Sequence, residues 1–566
     1  MEVLEPATIK FSGKQVAKMR TCLLIGCLYL MSVGATNAQQ IEALAPSTFI
    51  PNKQFPVVLE ARVNGQLDRL HSEELTSATQ GTAAGSALFK IKKGRAMATL
   101  QAASNPNLSL SNSAFAISVE ENENAHQVHS GSLSGLTIWA SGTVHHITSE
   151  IQFGANDSLI IESGCWVLLD SAVNMVVSGF LKVEGNSQSP VVFCSNSADY
   201  SWGGISINQG KGEFSYCLFT AGGGDESLAF GHSGSQAVLK TVDGIIEADH
   251  CFVFDCAGKG IGGQGGSLSF SRGGISRCDM GGEFSGGKLT ITDSHIIDIP
   301  NDDGIFVDDD NDGLYLSGSN PAGPSVIDSC IFMFGKDDAI DHNGAVVQVR
   351  NSWVENFEHE GIAASNQNSI TVFNSVFKNC EQGIEAGYGS PTVTVDHCVI
   401  VDCDNGLRFG DWYNWGCTGQ LTCTNSITWN NTDNVHNFDV LTNGPVSGAL
   451  DVTYSLTNDA EYDSNLGCLA GQPVFTDSYQ LTTGSAGIGL ASDGLNMGLV
   501  SSLSTGIPTN AYHQQGTLLE IRVYDLNGRL IDSGYNTDFQ LLKTGIYIVE
   551  ERYQNSLIRF KKTVIQ

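Results

Sequence analysis

Proline is scarce in this chain of 566 residues, 13 against 64 glycines, and only 16% of the residues are charged. That balance suits many short strands joined by tight turns. Disorder is excluded, because 41% of the residues are hydrophobic. Positive charge is in short supply, with 29 Lys and Arg against 60 Asp and Glu and a net charge of −31. That excess argues against nucleic acid or anionic membrane as a partner, since both require basic patches. The same excess permits cation binding, although a soluble acidic exterior accounts for most of it. No Cys-x-x-Cys pair occurs, which argues against a structural zinc site. Long apolar runs are also missing. The one candidate, Cys22–Met31, is too short to span a bilayer.

That run follows Lys18, Met19 and Arg20 and precedes a small-residue stretch at Thr36-Asn37-Ala38, the pattern of a cleaved secretion signal over residues 1–38, with Met19 a possible start. Its removal takes away four basic and two acidic side chains, so the net charge becomes −33. It also removes Cys22 and Cys27, leaving thirteen of the 15 cysteines, an odd number. Cys417 and Cys423 are spaced to close one loop. Cys380 and Cys403 share a repeat position, so they form either a disulfide or a stack of buried thiols.

What the chain has in abundance is a cadence. An acidic or polar residue, then Gly or Ala, then Ile or Leu, recurs as Asp338-Ala339-Ile340, Glu360-Gly361-Ile362, Gln382-Gly383-Ile384 and Asn405-Gly406-Leu407, at steps of 22, 22 and 23 residues. Apolar and polar residues alternate between these phrases with no helical period. A fixed period of this length marks a solenoid whose repeats bury their apolar faces against their neighbours. The expected fold class is all-β, a parallel β-helix over residues 135–500. A small Ig-like β-domain over 39–125 precedes it, and a small β-sandwich over 510–566 follows.

The segments Ile147–Gly164, Ser201–Ile207, Cys423–Asn431 and Gly471–Gly498 resemble coils and the closing segment of right-handed parallel β-helix proteins of the pectin-lyase-like fold. The resemblance speaks to fold rather than activity. The last stretch alternates strictly over Leu519–Gly534, Leu541–Arg552 and Ile558–Gln566, with an Asn527-Gly528 turn. It resembles the C-terminal sorting domain of type IX secretion substrates. That resemblance implies the type IX secretion machinery as a partner and a location outside the cell, or on its outer surface, in a Gram-negative bacterium.

Stacking the repeats puts equivalent residues in columns ~4.8 Å apart. Extending the cadence back to Asp302-Asp303-Gly304-Ile305 gives one column of Asp303, Asp338, Glu360, Gln382 and Asn405. The column before it holds Asp302, Asp337, His359, Glu381 and Asp404. His359 then lies between carboxylates, which keeps it protonated near neutrality. With Lys336 close by, Asp303, Asp337, Asp338, His359 and Glu360 are the candidates for acid–base chemistry. The alternative is a pair of idle, salt-bridged surface ladders. Arg408, one rung beyond Glu385, reads as an ion-pair partner. Within the 35 residues separating Asp303 from Asp338, the run Asp308-Asp309-Asp310-Asn311-Asp312-Gly313 offers alternate oxygen ligands before a glycine. Asp308, Asp310 and Asp312 are therefore expected to bind Ca2+, against the alternative of a solvated turn.

Asn301–Ile305, Gly335–Ile340 and His359–Ser365 are also similar to the Asp, paired-Asp and His motifs of polygalacturonase-type glycosidases, which would make Asp303, Asp337, Asp338 and His359 the active-site group. That family's Arg-x-Lys motif has no counterpart here. Three functions follow: a secreted or surface protein that binds polysaccharide with calcium, a polysaccharide lyase or glycoside hydrolase, or a structural adhesin. An enzyme requires a groove in which Asp338, Glu360 and His359 meet aromatic walls. Trp353, Trp412, Tyr413 and Trp415 are available for sugar stacking.

Overall fold

The computed structural model describes residues 39–82, 86–110, 116–304, 310–318, 320, 323–446, 449–500 and 503, together with the backbone of four strands between Leu518 and Ile565. The leader segment 1–38, Asp308 and the Asn527-Gly528 turn lie outside these residues. Among the described residues there is no α-helix, and none long and apolar enough to cross a membrane.

The protein is all-β and is built on a parallel β-helix. Each coil contributes three strands, for example Val347–Arg350, Trp353–Phe357 and Glu360–Asn366. Each strand pairs in parallel with its counterpart one coil on: Val347 with Ile370, Trp353 with Val376 and Glu360 with Gln382. The result is a three-faced prism whose first face is a 13-stranded parallel sheet. Sequence chemistry sets the corners. Asn351 and Asn374 turn the chain from first to second face in the left-handed region, at φ 51° and 46°, a conformation asparagine tolerates. The serine that follows each donates its hydroxyl back to a carbonyl, Ser352 to Arg350 and Ser375 to Phe373, both at 2.8 Å. On the third face Ile340, Ile362, Ile384 and Leu407 stack inward, fully buried.

Residues 40–118 form a seven-stranded sheet around the long strand Arg95–Leu110, which pairs antiparallel with Gln54–Val63 and with Glu73–Thr82. This sheet lies against the second face of the solenoid. Phe55, Val57, Leu59 and Phe89 share one apolar cluster with Leu218, Phe252, Ile297 and Trp353. Buried Arg95 joins the two parts, bonding Glu60 at 2.8 Å and the carbonyls of Gly273 and Asp293 at 2.8 and 2.9 Å. Residues 507–566 form a separate compact unit, in which four antiparallel strands run in the order Leu530–Gly534, Leu518–Tyr524, Gly545–Tyr553, Ile558–Ile565.

The described cysteines are all free thiols. Cys380 and Cys403 stand on adjacent coils as neighbouring thiols, and Cys423 is buried in the solenoid core, away from a bond to Cys417.

Candidate functional site

The acidic residues converge on the third face, and the register revises their order. Leu314 pairs with Ile340 and Tyr315 with Asp341, so the residue one rung before Asp338 is Asp312, 26 positions upstream. The amide of Gly313 donates to the Asp338 carbonyl at 2.7 Å, which pins this register. The column therefore reads Asp312, Asp338, Glu360, Gln382, Asn405. Asp303 is not in it. It sits on the exposed segment at 301–304 and pairs with Lys336 at 3.3 Å, so neither residue enters the cleft. Asp302 faces the N-terminal sheet instead, bonded to Lys90 at 2.7 Å. The expected run of alternating calcium ligands is divided by the same register: Asp312 turns inward, 1% exposed, while the Asp310 side chain is 80% exposed.

Asp337, Asp338, His359 and Glu360 do come together. Nδ1 of His359 lies 2.6 Å from Glu360, 3.3 Å from Asp337 and 3.4 Å from Asp338, and Nε2 lies 3.7 Å from Glu381. Asp338 also accepts the backbone amide of Glu360 at 2.9 Å, and the Gln382 amide donates to the other oxygen of Glu360. Burial alone would lower the pKa of His359, but hydrogen bonds to Asp337, Asp338 and Glu360 raise it and hold the ring as an imidazolium. The two central carboxyls are driven apart. Burial, then the charges of Asp338 and Glu385, push Glu360 well above the ordinary carboxylate range. Burial acts the same way on Asp338, yet hydrogen bonds from Glu360 and His359 bring it below its usual value. The pair titrates together, with Glu360 shifted towards its protonated form and Asp338 towards its ionised form.

A second row, one residue further along each strand than the buried isoleucines, carries Asp341, Ala363, Glu385 and Arg408. Arg408 is buried, bonds Glu385 at 2.5 Å and lies 5.0 Å from the Trp412 ring. Burial raises Glu385 to about 7, with Arg408 opposing. Asp341 and Glu385 are not among the residues the cadence singles out, although strand alternation puts the position after each inward isoleucine on the outer face.

Aromatic rings close one side. The loop after strand Asn405–Phe409 is tied down by Asp411, 1% exposed, which accepts the amides of Tyr413 at 2.9 Å, Gly416 at 2.7 Å and Trp415. This presents Tyr413 and Trp415 to the cleft, and Tyr388 meets Trp415 edge-on at 4.7 Å. Trp412 is exposed on the same loop but covers Arg408. Trp353 is not a wall of this cleft. It is 4% exposed on the second face, beneath Lys93 at 3.5 Å and edge-on to Tyr479. The cleft has a volume of about 280 Å³ and holds Asp337, Asp338, His359 and Glu360 on its floor. His232, from a loop 105 residues upstream of Asp337, also lines it.

A family model described as "Right handed beta helix region" matches residues 280–449, the coils that carry this site. A search of curated proteins gives no match. Solved structures similar to the chain include a point mutant of the periplasmic alginate epimerase AlgG, at 8% identity over 50% of this chain and 76% of that one, with a TM-score of 0.31. The unmutated AlgG epimerase matches at 11% identity over 51% and 78%, with a TM-score of 0.25. An alginate lyase from Paenibacillus sp. str. FPU-7 matches at 11% identity over 44% and 89%, with a TM-score of 0.19.

Proposed function

We propose that the third face binds a polysaccharide and that its cleft hydrolyses a glycosidic bond. One observation carries this reading: a single cleft gathers Asp338, Glu360 and His359 against Tyr388, Tyr413 and Trp415. Sugar rings stack on such aromatic faces, and glycoside hydrolysis uses a carboxylic acid and a carboxylate that flank the scissile bond, roughly 5–9.5 Å apart. Glu360, hydrogen-bonded to Asp338, is the proton donor to the leaving oxygen, and the water that attacks the anomeric carbon gives its proton to another carboxylate of the same cleft. The imidazolium of His359 holds Glu360 and Asp338 in place. Uronate elimination in the form that uses a Lys or Arg base fits less well. Here Lys336 is engaged with Asp303 and Arg408 with Glu385. The crowd of acids also favours a neutral polymer over an acidic one.

The test is an assay of the purified protein against pectin, alginate and neutral polysaccharides, scoring new reducing ends and unsaturated products separately. New reducing ends without unsaturation are expected. Glu360→Gln and Asp338→Asn should each lower kcat by roughly 100-fold or more. Trp415→Ala should chiefly raise KM. Absence of product from every polymer would overturn the hydrolase and leave a binding surface, which exposed Trp412 and Trp415 favour on their own account.

The reading extends to location. A polysaccharide substrate suits a protein exported by the signal at residues 1–38 and sorted by residues 510–566 through the type IX machinery.

A further inference from the structure

At the cleft stands a group of side chains that the hydrolytic reading does not name. One ring nitrogen of His232, one carboxylate oxygen of Asp312 and one of Asp341 all lie within 4.8 Å of one another. Asp312 is 1% exposed and its Oδ2 is buried without a hydrogen-bond partner. A buried carboxylate oxygen in that condition is costly unless a cation or proton satisfies it. Among the described residues no lysine or arginine bonds it, and Lys259, which fastens the His232 loop, is taken by Glu283 at 2.7 Å.

The histidine is held for a purpose. Its backbone amide donates to both oxygens of buried Glu283, at 2.9 and 3.0 Å. Lys259, itself paired with Glu283, donates to the carbonyl of Phe230 and the hydroxyl of Ser233 at 2.7 and 2.8 Å, fastening the loop on either side of His232. Gly231 has φ +73°, and a Cβ there would lie 1.7 Å from a Glu283 oxygen, so the loop can reach this position only with glycine. The imidazole stacks on Tyr315 with centroids 4.6 Å apart and planes 12° apart. The Tyr315 hydroxyl accepts from Asn343 at 2.6 Å. A ring fixed by stacking and by a clamped loop is oriented before any ligand arrives.

We propose that His232, Asp312 and Asp341 bind a divalent transition-metal ion of the zinc or manganese class. Asp310, 3.9 Å from Nε2 of His232, is placed to supply a fourth ligand. One imidazole with two carboxylates suits these ions, whereas calcium prefers six to eight oxygens. The site differs from the sequence-level calcium expectation in its histidine and in drawing on three separate coils. It stands independently of the hydrolase reading.

The full chain is stripped with a chelator, dialysed, and titrated with Zn2+, Mn2+ and Ca2+ while bound metal and thermal midpoint are measured. One equivalent of Zn2+ or Mn2+ should bind with a rise in midpoint, and Ca2+ at least tenfold more weakly. His232→Ala, an exposed position whose loss leaves the core intact, should weaken Zn2+ or Mn2+ binding by at least tenfold, and Asp341→Asn likewise. Failure to bind either ion stoichiometrically, equal affinity in His232→Ala and the unmodified chain, or a preference for Ca2+ would each overturn the proposal. None of these readouts depends on polysaccharide turnover.

Discussion

Glu385 shows how one side chain ties the site to pH. Its carboxyl holds a proton up to about 7 in the folded chain, because burial outweighs the pull of Arg408, whereas its ordinary value is 4.5. The folded state therefore binds more protons than the unfolded state between those limits, and stability falls as pH rises through them. The contribution is on the order of 2–3 kcal/mol. Urea denaturation in the presence of chelator should show the difference between pH 4.5 and pH 7 shrinking in Glu385→Gln, even though that variant is less stable throughout for want of a partner to Arg408. An unchanged difference would place the proton elsewhere. Residues of this kind were only partly legible beforehand. His359 could be placed between acids from the 22-residue step alone, since Asp337 and Glu381 sit one step to either side. Asp312 could not. Its phrase, Asp312-Gly313-Leu314, fits the repeat, but the step to Asp338 is 26, and the neighbouring aspartates made it resemble a metal loop. His232 carried no signal at all, because its place depends on a loop clamped by Glu283, which no local pattern announces.

At the level of the coil, the recurring phrase has a steric reason beyond its apolar third position. Gly383 stands at the corner leading into the third face, where a Cβ would come within 2.5 Å of the Gly406 carbonyl and 2.4 Å of Ile400 Cγ2. Its backbone is not in the left-handed region, so close approach of the next coil is what demands glycine there. Gly383→Ala should cost about 1–3 kcal/mol and displace Gln382 from Glu360. The combined signature, a lower thermal midpoint together with altered ligand binding at the cleft, distinguishes it from a core truncation such as Leu421→Ala, which should cost stability alone. Loss of neither would mean that the coils separate more readily than their register implies. This element was the most legible part of the molecule, because strand alternation and a fixed step are properties of sequence. The face each aromatic residue occupies was not. Trp353 follows Ser352 at a corner, and only the packing of a distant sheet shows that it points away from the cleft.

In the whole molecule, the N-terminal sheet serves the solenoid as a cover. Phe55, Val57 and Leu59 lie against Leu218, Phe252 and Ile297, and Lys92 pairs with buried Asp298. Expressing residues 126–566 without this sheet exposes that face, an apolar patch large enough to drive association. The truncated chain should lose most of its soluble yield and bind a hydrophobic dye, as measured by sedimentation and fluorescence. A soluble monomer would show that the second face is stable uncovered.

The third face remains as the long open surface, and its column changes character along the axis. It runs from carboxyls at Asp312, Asp338 and Glu360 through amides at Gln382 and Asn405 to a carboxyl again at Asp433. Parallel strands repeat the same orientation at every step, so no symmetry restores what the first end presents. Along this face the acids of the cleft come before the amides, and a further acid follows them. A polysaccharide bound there, as proposed, would meet a different order of groups in each of its two orientations.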